Sequence, residues 1–95
     1  IYMEHKYEAF TVRNKTFIVK LDYNDISNDF DYHMYIRHLV TPEQAINAYF
    51  HKTSEKYNEK YDRYELYCES SDIFVYYSYL KTKNILLITA FFKGE

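Results

Sequence analysis

RYELYCESSDIFVYYSYLKTKNILLITAFF, residues 63–92, is the stretch whose reading decides the fold. Its opening residues alternate, with Tyr64, Leu66 and Cys68 on one side and Glu65, Tyr67 and Glu69 on the other. That period belongs to a half-buried strand. Ser70-Ser71-Asp72 then turns the chain. IFVYYSYL and NILLITAFF, joined by KTKN, are near-continuous apolar runs and predict a hairpin whose second strand is strongly buried.

Working back towards the N-terminus, YEAFTVRNKTFIVKLDY (7–23) predicts a second hairpin. Phe10 and Val12 alternate with Thr11 and Arg13, and Phe17, Val19 and Leu21 with Ile18, Lys20 and Asp22, about a turn at Asn14-Lys15. NDISNDFD (24–31) reads as a polar loop. Asp31 or Asn28 is then a candidate cap for a short helix through DYHMYIRHLV, whose alternative reading is a strand. Thr41-Pro42-Glu43-Gln44 is a firmer helix start, with a capping hydroxyl, proline at the first helical position and glutamine at the capping-box position. Ala45, Ile46, Tyr49 and Phe50 form its apolar stripe, which continues towards Tyr57 into a solvated second half. The order is ββ-α-α-βββ. It predicts a single α+β domain over residues 1–95, an antiparallel sheet of the N-terminal hairpin plus three C-terminal strands, with one or two helices packed on one face.

Ninety-five residues suffice for one modest core. Thirteen tyrosines and seven phenylalanines exceed what that core can hide, so phenol groups must reach the surface, where they commonly meet partners. A net charge of −2 lacks the overall basic signature of a protein that grips nucleic acid through its phosphates. Lone Cys68 reads as a buried thiol of a reducing compartment. Without a long apolar run or a leader pattern, the expected location is cytoplasmic, with no membrane contact. Neither a glycine-rich phosphate loop nor zinc-ligand spacing occurs, so no metal and no cofactor are expected.

The chemistry-bearing residues sit in the middle of the chain. Metal-free RNA cleavage needs a base, an acid and a cation for phosphate. His33 and His38 suit the first two, and Arg37, one helical turn from His33, suits the third. Arg63 opens a strand that can point back towards them, and Thr89 places a hydroxyl in an otherwise apolar strand. The plainer reading makes all five ordinary surface or strand residues. Tyr76, Tyr77 and Tyr79 offer either stacking platforms for unpaired bases or packing surface. The four aspartates from Asp22 to Asp31 lack calcium-loop spacing and make a polar loop.

His33…Arg37-His38-x-x-Thr41-Pro42-Glu43-Gln44-Ala45, Arg63-Tyr64-Glu65-Leu66 and Leu87-Ile88-Thr89-Ala90-Phe91 together resemble the BrnT-type toxins and the wider RelE/barnase/EndoU/colicin-like group of small ribonucleases. The resemblance spans about residues 31–92 and departs from the group's pattern at Leu39, where glycine is usual, and in acidic charge. It implies metal-independent RNA cleavage with His38 or His33 as acid/base, Arg37 and Arg63 at the phosphate, Thr89 at the edge, and a cognate antitoxin as partner. The rival reading is a non-enzymatic inhibitor or immunity-type protein, phage- or plasmid-borne, that binds a host or rival protein through an acidic, tyrosine-rich surface. A homodimer formed by β-pairing at an exposed sheet edge is a third expectation. A basic pocket holding both Arg37 and Arg63 would favour the enzyme, an acidic aromatic face the inhibitor.

Overall fold

Alternation of apolar and polar residues about a tight turn builds the first hairpin of the computed structural model, which describes residues 6–95. Strands β1 (Lys6–Val12) and β2 (Lys15–Asn24) pair antiparallel from Lys6↔Leu21 to Val12↔Lys15. Their turn is Arg13-Asn14, not Asn14-Lys15, and both residues have positive φ, 51° and 65°. That is the twist a two-residue turn needs to match its flanking strands, and asparagine tolerates it well. β3 (Asp29–Tyr32) follows a four-residue turn and pairs antiparallel with the far half of β2. The stretch read as a loop is therefore the tip and return strand of a hairpin.

Helices α1 (His33–His38) and α2 (Pro42–Phe50) come next. α2 carries the capping box in full: the Gln44 backbone N–H donates to Thr41 Oγ1 at 3.1 Å, and the Thr41 N–H donates to Gln44 Oε1 at 2.9 Å. It stops at Phe50 rather than running on towards Tyr57, because the Thr53 N–H donates to the Tyr67 carbonyl at 2.7 Å and draws the chain into the sheet. β4 (Ser54–Asn58), β5 (Arg63–Cys68), β6 (Ile73–Tyr79) and β7 (Ile85–Phe92) form an antiparallel meander.

The seven strands form one sheet in the order β1-β2-β7-β6-β5-β4, with β3 on β2. β7 runs parallel to β2 from Phe17↔Ile85 to Val19↔Leu87, so the sheet is mixed rather than wholly antiparallel. Beyond Leu87 the β7 strand bulges at Ile88, where partners step from Tyr77↔Leu87 to Tyr76↔Thr89. The extra residue bends β7 away from β2. β3 takes the vacated side of β2, and α1 fills the gap between β2, β3 and β7.

One sheet face carries Phe17, Val19, Leu66, Cys68, Ile73, Val75, Tyr77, Ile85, Leu87 and Ala90, all buried with Met34, Val40 and the α2 stripe of Ala45, Ile46, Ala48 and Tyr49. Tyr49 meets Phe17 and Tyr77 edge-on at ring distances of 5.2 and 5.3 Å, the geometry aromatic quadrupoles prefer. The fold is thus α+β with one core. Among the described residues no helix is long and apolar enough to cross a membrane.

Candidate functional site

A helix of six residues is too short to persist on its own. α1 lacks a side-chain cap at Tyr32 and ends at Leu39 in left-handed conformation, φ 60°. Its neighbours hold it. Met34, 1 % exposed, enters the core, while both histidines grip carboxylates: His33 Nδ1 hydrogen-bonds Asp22 Oδ2, and His38 Nδ1 hydrogen-bonds Glu95 Oε1. Asp22 and Phe91, which the His38 ring touches at 5.8 Å, point to the face opposite the core. Burial pushes the Asp22 carboxyl up, but the hydrogen bond and charge of His33, aided by Lys20 at 3.5 Å, outweigh it and hold it below its ordinary value.

Arg37 is exposed beside His38, on the rim of an open depression with Phe92 and Lys93. Arg63 lies elsewhere. Its Nε donates to Glu65 Oε2 at 2.9 Å, and its guanidinium lies 4.6 Å from the Tyr61 ring centre and 4.3 Å from that of Tyr76. Contacts lead from His38 to Phe91, from Phe91 to Tyr76 at 5.2 Å, and only then to Arg63. Two rings therefore intervene between the helical pair and the strand arginine, and the depression that Arg37 rims does not include Arg63. Glu65, 8 % exposed, receives Arg63, Asn58 at 3.1 Å and Lys56 at 3.6 Å. Burial raises its pKa, and these hydrogen bonds and charges more than offset that, leaving it below the usual carboxylate range. Arg63 is a partner of this buried carboxylate before it is a free phosphate ligand.

Thr89 shares the open face with Tyr76, its register partner, and its hydroxyl is enclosed without a hydrogen-bond partner among the described residues. The three tyrosines do not form one platform. Tyr77 is 1 % exposed on the core face, its hydroxyl donating to Glu55 Oε2 at 2.6 Å, so no base can reach it. Tyr79 shares that face at the sheet's end, and Tyr76 alone faces the other way. On the open face Phe74 stacks on Phe91 at 5.3 Å and meets the tilted ring of Tyr67 at 4.7 Å, so it is taken up by neighbours.

The feature that sequence reasoning missed is the β2–β3 arm. Asn24 Oδ1 accepts from the Ile26 N–H at 3.0 Å, the Asn28 N–H donates to the Asn24 carbonyl at 2.8 Å, and the Tyr23 hydroxyl hydrogen-bonds the Asn28 side chain. This ordered turn holds Ile26 out in solvent, 97 % exposed. Tyr23 and Phe30 flank it, edge-on at 5.6 Å and each well exposed. Residues 22–31 carry four aspartates and neither lysine nor arginine. Leu21 and Tyr23 before NDISND, with Phe30 and Tyr32 after it, were the hairpin signal. Comparison with protein-family models, curated proteins and solved structures finds no match to this chain.

Proposed function

We propose that this chain is a non-enzymatic binding protein, of inhibitor or immunity type, that docks on a basic surface of another protein through the β2–β3 arm. One observation carries the reading: Ile26 stands almost wholly in solvent on a turn braced by its own side chains, above the paired rings of Tyr23 and Phe30 and on a segment that carries Asp25 and Asp29. An isolated apolar side chain on a surface is ordinary, but one held outward by a hydrogen-bonded turn above a pair of exposed aromatic rings is built like an interface anchor. Pre-ordering the turn lowers the entropy lost on docking. The carboxylates steer a cationic partner and set a salt-dependent association rate.

The ribonuclease reading keeps one supporting observation, the Asp22 carboxylate that orients His33 through Nδ1 and leaves Nε2 for a proton. It loses support where a second cation is needed, since Arg63 is committed to Glu65. Two assays separate the readings. A tagged chain exposed to lysate of the cells that carry it should retain a partner that is released by salt and lost on Ile26→Asp or on Asp25→Asn with Asp29→Asn. Purified chain incubated with single-stranded RNA should leave it intact. Cleavage that disappears in His33→Ala would replace the binding reading with the enzymatic one.

A further inference from the structure

We propose that the outer edge of β1 is a self-association surface, on which two copies pair their β1 strands antiparallel about a twofold axis and join their sheets. β1 ends the strand order, and no strand pairs with its outer side among the described residues. The hydrogen bonding of that edge follows from the turn. A two-residue hairpin turn makes its flanking residues, Val12 and Lys15, a hydrogen-bonded pair, and such pairs alternate along an antiparallel ladder. Val12, Phe10, Glu8 and Lys6 therefore use their N–H and C=O groups on β2. Those of Tyr7, Ala9 and Thr11 point outward.

The two ends of the sheet differ in how they meet water. β4, at the other end, reads SEKYN and is followed by Glu59-Lys60; its Lys56 side chain is 78 % exposed. Charges so placed discourage strand addition. β1 carries its charges, Lys6 and Glu8, in its first half and leaves Ala9-Phe10-Thr11-Val12 without one, and its register runs without bulge, proline or glycine. Behind this edge lies a groove of about 370 Å³ whose lining is half apolar, from Phe10, Val12, Ile46 and Phe50, and half polar, with Arg13 and Glu43 supplying opposite charges. A twofold contact uses the same patch twice. With Arg13 and Glu43 both in its lining, the patch is self-complementary in charge, which favours a second copy over a partner of single sign. The pairing lies on the side of β2 away from β3, so each arm stays free.

Ala9→Pro isolates the edge, because proline is tolerated where the lost N–H faces solvent. Wild type should elute in size-exclusion chromatography with light scattering at the mass of two chains and dissociate on dilution. Ala9→Pro should run as one chain with an unchanged far-ultraviolet circular dichroism spectrum. Hydrogen exchange of wild type supplies a readout that needs no variant: the Tyr7, Ala9 and Thr11 amides should be protected in concentrated solution and exchange freely when dilute, whereas Glu8, Phe10 and Val12 stay protected in both. A wild-type mass of one chain at every concentration, exchange at the outward amides that ignores concentration, or a dimer that survives Ala9→Pro overturns the proposal.

Discussion

Replacing Met34 by alanine tests whether α1 is held by the core or by its two histidine–carboxylate contacts. Met34 is the buried residue of α1 and sits 1 % exposed in the main core cluster. Deleting its thioether end removes apolar contacts and leaves a cavity, a change that costs about 2–5 kcal/mol in well-packed sites. The His33–Asp22 and His38–Glu95 pairs are each about one-third exposed at the side chains, and pairs so placed contribute about 1 kcal/mol or less. The core contact therefore outweighs both pairs together. Met34→Ala should lose about 3 kcal/mol in urea titration. At roughly 4–8 °C per kcal/mol for a domain of this size, the melting midpoint should fall by more than about 10 °C. Amides of residues 33–39 should lose protection first in hydrogen exchange. A loss under about 1 kcal/mol, or a double variant His33→Ala/His38→Ala that costs more than Met34→Ala, would refute the assignment.

Tyr77→Phe removes a buried hydroxyl bonded at 2.6 Å to Glu55, which keeps Lys52 at 3.1 Å and some solvent. The cost should therefore sit at the low end for a bond to a charged group, about 1.5 kcal/mol by denaturant unfolding, and an unchanged stability would contradict the packing described. Asp22 and Glu65 both have folded pKa values below their ordinary ones. Their contribution is present above the ordinary carboxylate pKa of about 4 and disappears as pH falls through the lowered folded values. Melting midpoints should drop on acidification through that window, with a shallower slope in Glu65→Gln; parallel slopes would argue against the buried pair with Arg63. Rewriting the Arg13-Asn14 turn as Asn-Gly suits its two positive φ angles and should raise stability by roughly 0.5–1 kcal/mol. A loss on that change would mean that the Arg13 guanidinium over Phe50, 4.9 Å away, matters more than turn strain.

Local chemistry made much of this legible in the chain. The Thr41-Pro42-Glu43-Gln44 box has one physical solution, and α2 starts there. Period-two alternation likewise placed β5, and two near-continuous apolar runs placed β6 and β7. β4 escaped because an edge strand buries little: SEKYN carries no apolar alternation, and its one aromatic ring, Tyr57, stays exposed beside Tyr64. The parallel pairing of β2 with β7 joins segments far apart in sequence, and no local pattern encodes that choice. For the site, the spacing of His33 and Arg37 favoured a shared helix over a strand, but Asp22 and Glu95, the carboxylate partners of His33 and His38, arrive through tertiary folding. Arg63 was expected beside the helix; a carboxylate two residues along its own strand captured it.

Photo-crosslinking from the arm tests the binding account most directly. Benzoylphenylalanine placed at position 26, or at position 81 in the exposed turn at the opposite end of the sheet, is irradiated in the cells that carry the protein. The account expects one discrete protein adduct from position 26, weakened by Asp25→Asn with Asp29→Asn, and none from position 81. Equal adducts from both positions, or no protein adduct from position 26, would contradict it.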